Sequence, residues 1–104
     1  MKNSNLENTI TKADYKVKDP KVKQLTKALL KLKTEQEIAN FLRDLLTSPE
    51  IEEFANRLEI AKLLLTGKSY LKIAQETGAS TTTVTRVAQW LFRGCGGYWK
   101  VLHP

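Results

Sequence analysis

A run of short hydroxyl side chains precedes an arginine between residues 80 and 86. Its members are Ser80, Thr81, Thr82, Thr83, Thr85 and Arg86. Such hydroxyls can reach phosphate oxygens, base edges or thymine methyl groups without a long side chain. The guanidinium adds a charge one helical turn further on. Because threonine is a poor helix former, the run also argues against a purely structural helix.

Catalytic and metal-binding chemistry is sparsely represented. Cys95 and His103 are the two strong candidates for a nucleophile, a base or a soft-metal ligand. A catalytic or metal site needs more participating residues than these two. The glycines at residues 94–97 lack the spacing of a nucleotide-binding loop. We therefore predict no enzymatic activity, no metal and no cofactor.

A helix-turn-helix over residues 69–91 would present the hydroxyl run. Ala74 is small where the two helices would cross, Gly78 suits a left-handed turn four residues later, and Ser80 can cap the second helix. Apolar residues at matching spacings would anchor both helices to a core: Ile73, Ala79, Val84, Val87 and Leu91. We expect the front of the second helix to enter the major groove of DNA.

The first helix of this motif offers further contacts to DNA. Lys68, Tyr70 and Lys72 flank its start and could contact backbone phosphates, although a solvated role for the lysines stays open. The predicted DNA-binding residues are Lys68, Ser69, Tyr70, Lys72, Ser80, Thr81, Thr82, Thr85, Arg86 and Gln89.

The rest of the chain also has helical periodicity, and no segment alternates with period two. Asp19-Pro20, the capping box Thr34–Glu37 and Ser48-Pro49-Glu50 predict three helix starts, and Gly67 ends the third helix. Residues 98–102 add a final turn or helix. The apolar faces exceed what one copy covers, so the first two helices are candidates for burial against a second copy.

Length and composition fit one small helical domain. The chain has 104 residues, 41% hydrophobic and 27% charged, and its longest apolar run is far too short to span a membrane. We expect a flexible basic tail at residues 1–18 and one domain at residues 19–104. No signal peptide is apparent and the single cysteine cannot form an internal disulfide, which favours the cytosol. Binding to DNA would then imply a bacterial-type nucleoid location.

The net charge of +6 is distributed unevenly. Nine lysines against three acids give residues 1–33 a charge of +6, whereas residues 34–56 carry one base against six acids. Residues 57–104 carry seven bases against two acids. This pattern predicts one surface for an anion such as nucleic acid and another for a different purpose, with ordinary solvated helix faces as the alternative.

Several segments resemble the Trp repressor superfamily and, within it, the TrpR-related YerC/YecD branch. They are residues 56–61, 67–70, 73–87 and 96–98, of which residues 78–86 are the most specific. The resemblance spans roughly residues 19–102. It implies an all-helical, intertwined homodimer, in which the N-terminal helices of each chain wrap the other and two DNA-reading heads project from a shared core.

The resemblance also bears on a small-molecule effector. The Trp repressor holds L-tryptophan between two arginines, which match Arg57 and Arg86, and Thr47 matches a position near that ligand. Val87 stands where the Trp repressor has glycine, and Trp90 where it has serine, so these larger side chains would fill the pocket. We therefore expect no tryptophan corepressor; pairing with Glu53 is a simpler role for Arg57.

These features predict a sequence-specific DNA-binding transcriptional regulator that binds double-stranded DNA as a homodimer, a repressor by resemblance. Neither a membrane nor a metal is expected as a partner. Two alternatives stay open: a protein–protein adaptor of the transcription machinery with an acidic partner, and a non-specific, nucleoid-type DNA binder.

Overall fold

The computed structural model describes residues 13–103, and every regular element among them is an α-helix. In chain order the helices are α1 (Pro20–Leu29), α2 (Glu35–Leu45), α3 (Ser48–Leu65), α4 (Tyr70–Thr77), α5 (Thr81–Arg93) and α6 (Gly97–Leu102). The predicted all-α class is therefore confirmed. Most of the expected basic tail, residues 1–12, lies outside the described residues.

Side-chain caps begin the first two helices at the predicted positions. The Asp19 carboxylate accepts a hydrogen bond from the Lys21 amide at 2.8 Å, and the Thr34 hydroxyl accepts one from the Glu37 amide at 3.1 Å. The return bond of this second cap differs from the expected capping box. The Glu37 carboxylate accepts from the amide of Lys33 at 2.7 Å, one residue before the cap.

A reciprocal capping box, which was not predicted although Thr47 and Glu50 have its spacing, begins α3. The Glu50 carboxylate accepts hydrogen bonds from the Thr47 amide at 2.8 Å and from the Thr47 hydroxyl at 3.0 Å. The Thr47 hydroxyl in turn accepts from the Glu50 amide at 3.3 Å. The hydrogen bond from the Thr47 amide, and to a lesser extent that from the Thr47 hydroxyl, lower the pKa of Glu50 from its usual value. The helix start expected at Ser48 is thus fixed by the residue before it.

The chain divides into two compact units, one of residues 15–54 and one built around residues 55–103. In the first unit, neither α1 nor α2 contains a buried residue. In the second, the end of α3 packs with α4 and α5 around one core: Ile60, Ala61, Leu64, Ile73, Val84, Val87, Ala88 and Leu91. This core fixes α4 and α5 relative to the end of α3.

A glycine-rich turn returns the chain from α5 to that core. Gly94 leaves no room for a side chain, because a Cβ there would collide with the carbonyl oxygen of Trp90. After the turn, Tyr98 packs against the core and Trp99 is buried. The ring of His103 lies 4.4 Å from that of Trp99, centroid to centroid.

Candidate nucleic-acid interface

A short turn at Gly78 joins α4 to α5. Gly78 has a φ of 77°, the left-handed conformation that glycine adopts most readily, and its N–H donates to the carbonyl oxygen of Ala74 at 2.9 Å. The Thr77 hydroxyl donates to the carbonyl oxygen of Ile73 at 2.8 Å and accepts from the Ala79 amide at 3.3 Å. Local hydrogen bonds therefore fix the geometry of the turn.

Serine caps begin both helices of the motif. Ser69 Oγ accepts from the Lys72 amide at 3.1 Å, and Ser80 Oγ accepts from the Thr83 amide at 3.1 Å. The Ser80 hydroxyl also donates to Thr83 Oγ1 at 3.1 Å. Because a serine hydroxyl has a single proton, Ser80 would have to release Thr83 Oγ1 before it could donate to a phosphate.

The two faces of α5 differ in character. One face is buried in the core and consists of Val84, Val87, Ala88 and Leu91. The other lines one shallow surface groove and consists of Thr81, Thr82, Thr85, Arg86 and Gln89. The structure thus brings five of the sequence-predicted DNA contacts together on one exposed face.

A second surface groove connects this face to α4. Its lining residues are Tyr70, Thr85, Ala88, Gln89, Phe92 and Arg93. Tyr70, a predicted contact on α4, therefore shares a groove with two predicted contacts on α5. Arg93 was not predicted, although its spacing of four residues from Gln89 and eight from Thr85 places it on the same helix face.

Lys68, a predicted phosphate contact, pairs with a carboxylate. Its Nζ lies 2.7 Å from Oε1 of Glu76, and the two side chains are 39% and 35% exposed. The hydrogen bond from Lys68 lowers the pKa of Glu76; desolvation opposes this, and the charges of Lys68 and Lys72 add to it. Because the two partners are eight residues apart in the sequence, their spacing did not predict this ion pair.

The residues associated with an effector by resemblance lie in both units of the chain. In residues 15–54, Thr47 is engaged in the cap of α3. In residues 55–103, Arg57 and Arg86 are exposed, and Arg86 lines the groove of α5. Val87 is 4% exposed in the core, whereas Trp90 is 57% exposed. That these last two side chains fill a ligand pocket stays a prediction.

Other kinds of site find little support in the described part of the chain. Residues 13–103 contain no group of three or more side chains suited to hold a metal ion. None of their helices is long and apolar enough to cross a membrane. Cys95 is an exposed free thiol in the turn after α5.

With one face of α5 anchored to the core and its front exposed, α4 and α5 have the architecture of helix-turn-helix DNA-binding proteins. Comparison with protein families identifies the particular group. Residues 20–104 match the family described as Trp repressor protein. The chain therefore belongs to the Trp repressor family, a family of DNA-binding regulators.

Individual relatives agree with this assignment. YerC of Bacillus subtilis strain 168 is 42% identical over 83 residues, which is 80% of each chain. The crystal structure of a TrpR-like protein from Eubacterium eligens ATCC 27750 has a TM-score of 0.74 and 43% identity, covering 81% of this chain and 87% of that one. That of a candidate Trp repressor from Staphylococcus aureus has a TM-score of 0.74 and 36% identity, covering 82% and 85%. The resemblance to the TrpR-related YerC branch is confirmed.

Proposed function

We propose that this chain is a sequence-specific DNA-binding transcriptional regulator, a repressor, which inserts the front of α5 into the major groove. The observation that carries the proposal is the exposed face of α5, where five polar residues line one groove opposite a fully packed face. Their hydroxyl, amide and guanidinium groups complement base edges and phosphates. Because the opposite face of α5 is packed in the core, the polar face is available to a partner.

Affinity and sequence preference come from different groups in this proposal. Residues 57–104 carry seven bases against two acids, and the bases near the grooves attract phosphates. The backbone amides at the start of α5 and the positive end of its dipole add to that attraction. Thr81, Thr82 and Thr85 would contact base edges, and the amide of Gln89 suits adenine.

The regulator acts as a homodimer, because α1 and α2 have apolar faces without cover in their own unit. Leu25 and Leu29 on α1 are 39% and 44% exposed, and Ile38 and Leu45 on α2 are 43% and 50% exposed. The opposite side of α1 is basic: its Lys23 and Lys27 line one groove together with Lys31, which follows the helix. Contiguous exposed apolar faces are typical of protein–protein interfaces, and most homo-oligomers are symmetric dimers.

Selection from a random duplex library tests the proposal, with purified protein at physiological salt and no added ligand. Enrichment of an inverted repeat is expected, because a two-fold symmetric dimer reads two half-sites. It would also show that L-tryptophan is not required. Similar affinity for all duplexes would instead favour a non-specific nucleoid-type binder, and no binding at all would favour an adaptor for an acidic protein.

Arg86→Ala tests the proposed reading face directly. Arg86 is exposed on α5, so its loss leaves the core intact. We expect the affinity for the selected duplex to fall by about 1–3 kcal/mol, or roughly 5- to 150-fold. Arg43→Ala on α2, also exposed, is the matched control. Equal affinities of Arg86→Ala and wild type in a fluorescence-anisotropy titration would exclude a direct role for Arg86.

A further inference from the structure

Glu76 is the only acidic residue between residues 60 and 104, which contain six lysines and arginines. It lies in the last turn of α4, within the helix-turn-helix. A surface that binds phosphates is expected to be basic throughout, because a carboxylate on it repels the DNA backbone. The presence of Glu76 in this position therefore asks for a physical explanation.

The contacts of Glu76 supply one. Its Oε1 accepts a hydrogen bond from Nζ of Lys68 at 2.7 Å, and the charge of Lys72 also stabilises the carboxylate. The pKa of Glu76 lies below its usual value, so the carboxylate is ionised under the conditions in which the protein would meet DNA. Glu76 thus neutralises one phosphate-binding cation and partly offsets another.

We infer that Glu76 is a positioning residue that holds Lys68 away from the DNA backbone, so that a phosphate must displace the carboxylate before Lys68 contributes to binding. This inference rests on the proposed function. Attraction to phosphates supplies essentially all sequence-independent affinity. An internal competitor for a phosphate-binding cation therefore limits binding to random DNA and weakens its salt dependence.

A purely structural role for the ion pair makes the opposite prediction. In that case the pair ties the turn before α4 to the last turn of this helix, and its loss loosens the motif and weakens DNA binding. Ion pairs this exposed contribute little to stability, so Glu76→Gln is expected to fold. Thermal unfolding of each variant checks this point.

Salt titrations on a random-sequence duplex distinguish the two roles. For Glu76→Gln we expect the plot of log affinity against log salt to steepen by roughly 0.9, the value for one additional phosphate contact. Between 1 M and 0.1 M salt this slope corresponds to a gain of about eightfold. Glu59→Gln on α3 makes the same change in net charge outside the motif and is the matched control. The gain in affinity of Glu59→Gln should be much smaller than that of Glu76→Gln.

Lys68→Gln completes a double-mutant cycle with Glu76→Gln. In the Lys68→Gln background, Glu76→Gln should no longer raise the affinity, because its gain passes through Lys68. An unchanged or weaker affinity of Glu76→Gln, an equal gain for Glu59→Gln, or a gain that survives Lys68→Gln would each overturn the inference. If neither wild type nor Glu76→Gln binds any duplex, the proposed function fails too. If the wild type binds and only the gain is missing, the proposed function stands.

Discussion

Ser80 links the stability of the helix-turn-helix to its proposed contact with DNA, and two substitutions can separate these roles. Ser80 Oγ accepts a hydrogen bond from the Thr83 amide and donates one to Thr83 Oγ1, both at 3.1 Å. Ser80→Ala removes both bonds. Ser80→Asp retains an acceptor for the amide but places a negative charge at the front of α5.

The structure predicts opposite effects of these substitutions on stability and on binding. Loss of the cap in Ser80→Ala should lower the free energy of unfolding by about 1 kcal/mol, which shifts the Tm by roughly 4–8 °C in a domain of this size. Ser80→Asp should stay within about 0.5 kcal/mol of the wild type, because aspartate caps as well as serine and its charge suits the helix dipole. Its DNA affinity, however, should fall by about tenfold or more, roughly 1.4 kcal/mol, because in the proposed binding mode the carboxylate would face phosphates.

Chemical denaturation and fluorescence anisotropy on one fixed duplex measure the two effects separately. Thr34→Asp is the matched control, because Thr34 caps α2 with the same 3.1 Å bond to a backbone amide and lies outside the helix-turn-helix. It should leave both stability and DNA affinity nearly unchanged. A folded Ser80→Asp that binds as tightly as the wild type would refute the placement of the start of α5 at the DNA backbone.

Leu29→Glu places a charge in the apolar face of α1 and should shift the protein toward monomer in sedimentation velocity, whereas Lys27→Glu on the other face should not; a monomeric wild type would contradict the dimer. Millimolar L-tryptophan should leave the Tm and the DNA affinity unchanged, since a ligand of the native state would raise the Tm. Deletion of residues 2–18 removes four lysines and should flatten the salt dependence of DNA binding. An unchanged slope would reject a role for this segment.

Helix starts could be predicted from the sequence because a cap involves residues only two or three positions apart. Asp19, Thr34 and Ser80, which were predicted as caps, each accept a hydrogen bond from a backbone amide in the first turn of the helix. Thr47 also caps a helix but was not predicted to do so, because Pro49 favoured a helix start at Ser48. The grouping of the predicted DNA contacts of α5 on one exposed face could also be predicted, because helical spacing alone places them there.

Pairings between side chains could not be predicted, because they depend on rotamers and on how the helices pack. The Lys68–Glu76 pair joins the turn before α4 to the last turn of this helix, and no local rule favours a spacing of eight residues. The exposure of Trp90 shows the same limit. The resemblance to the Trp repressor implied that Trp90 fills a ligand pocket, and this stays a prediction. The burial of Trp90 depends on what packs against it, and 57% of the side chain is exposed in the single chain.

The front of α5 consists of residues that oppose helix formation, and the core offsets this weakness. Four of its first five residues are threonine, each up to about 0.7 kcal/mol less favourable in a helix than alanine, or roughly 2–3 kcal/mol together. The Ser80 cap stabilises the helix by about 1 kcal/mol. Burial of Val84, Val87 and Leu91 contributes about 1.5–3 kcal/mol each, which exceeds the remaining deficit. Tertiary packing therefore permits exposed hydroxyls that lower helix propensity, as expected where side chains serve binding rather than stability.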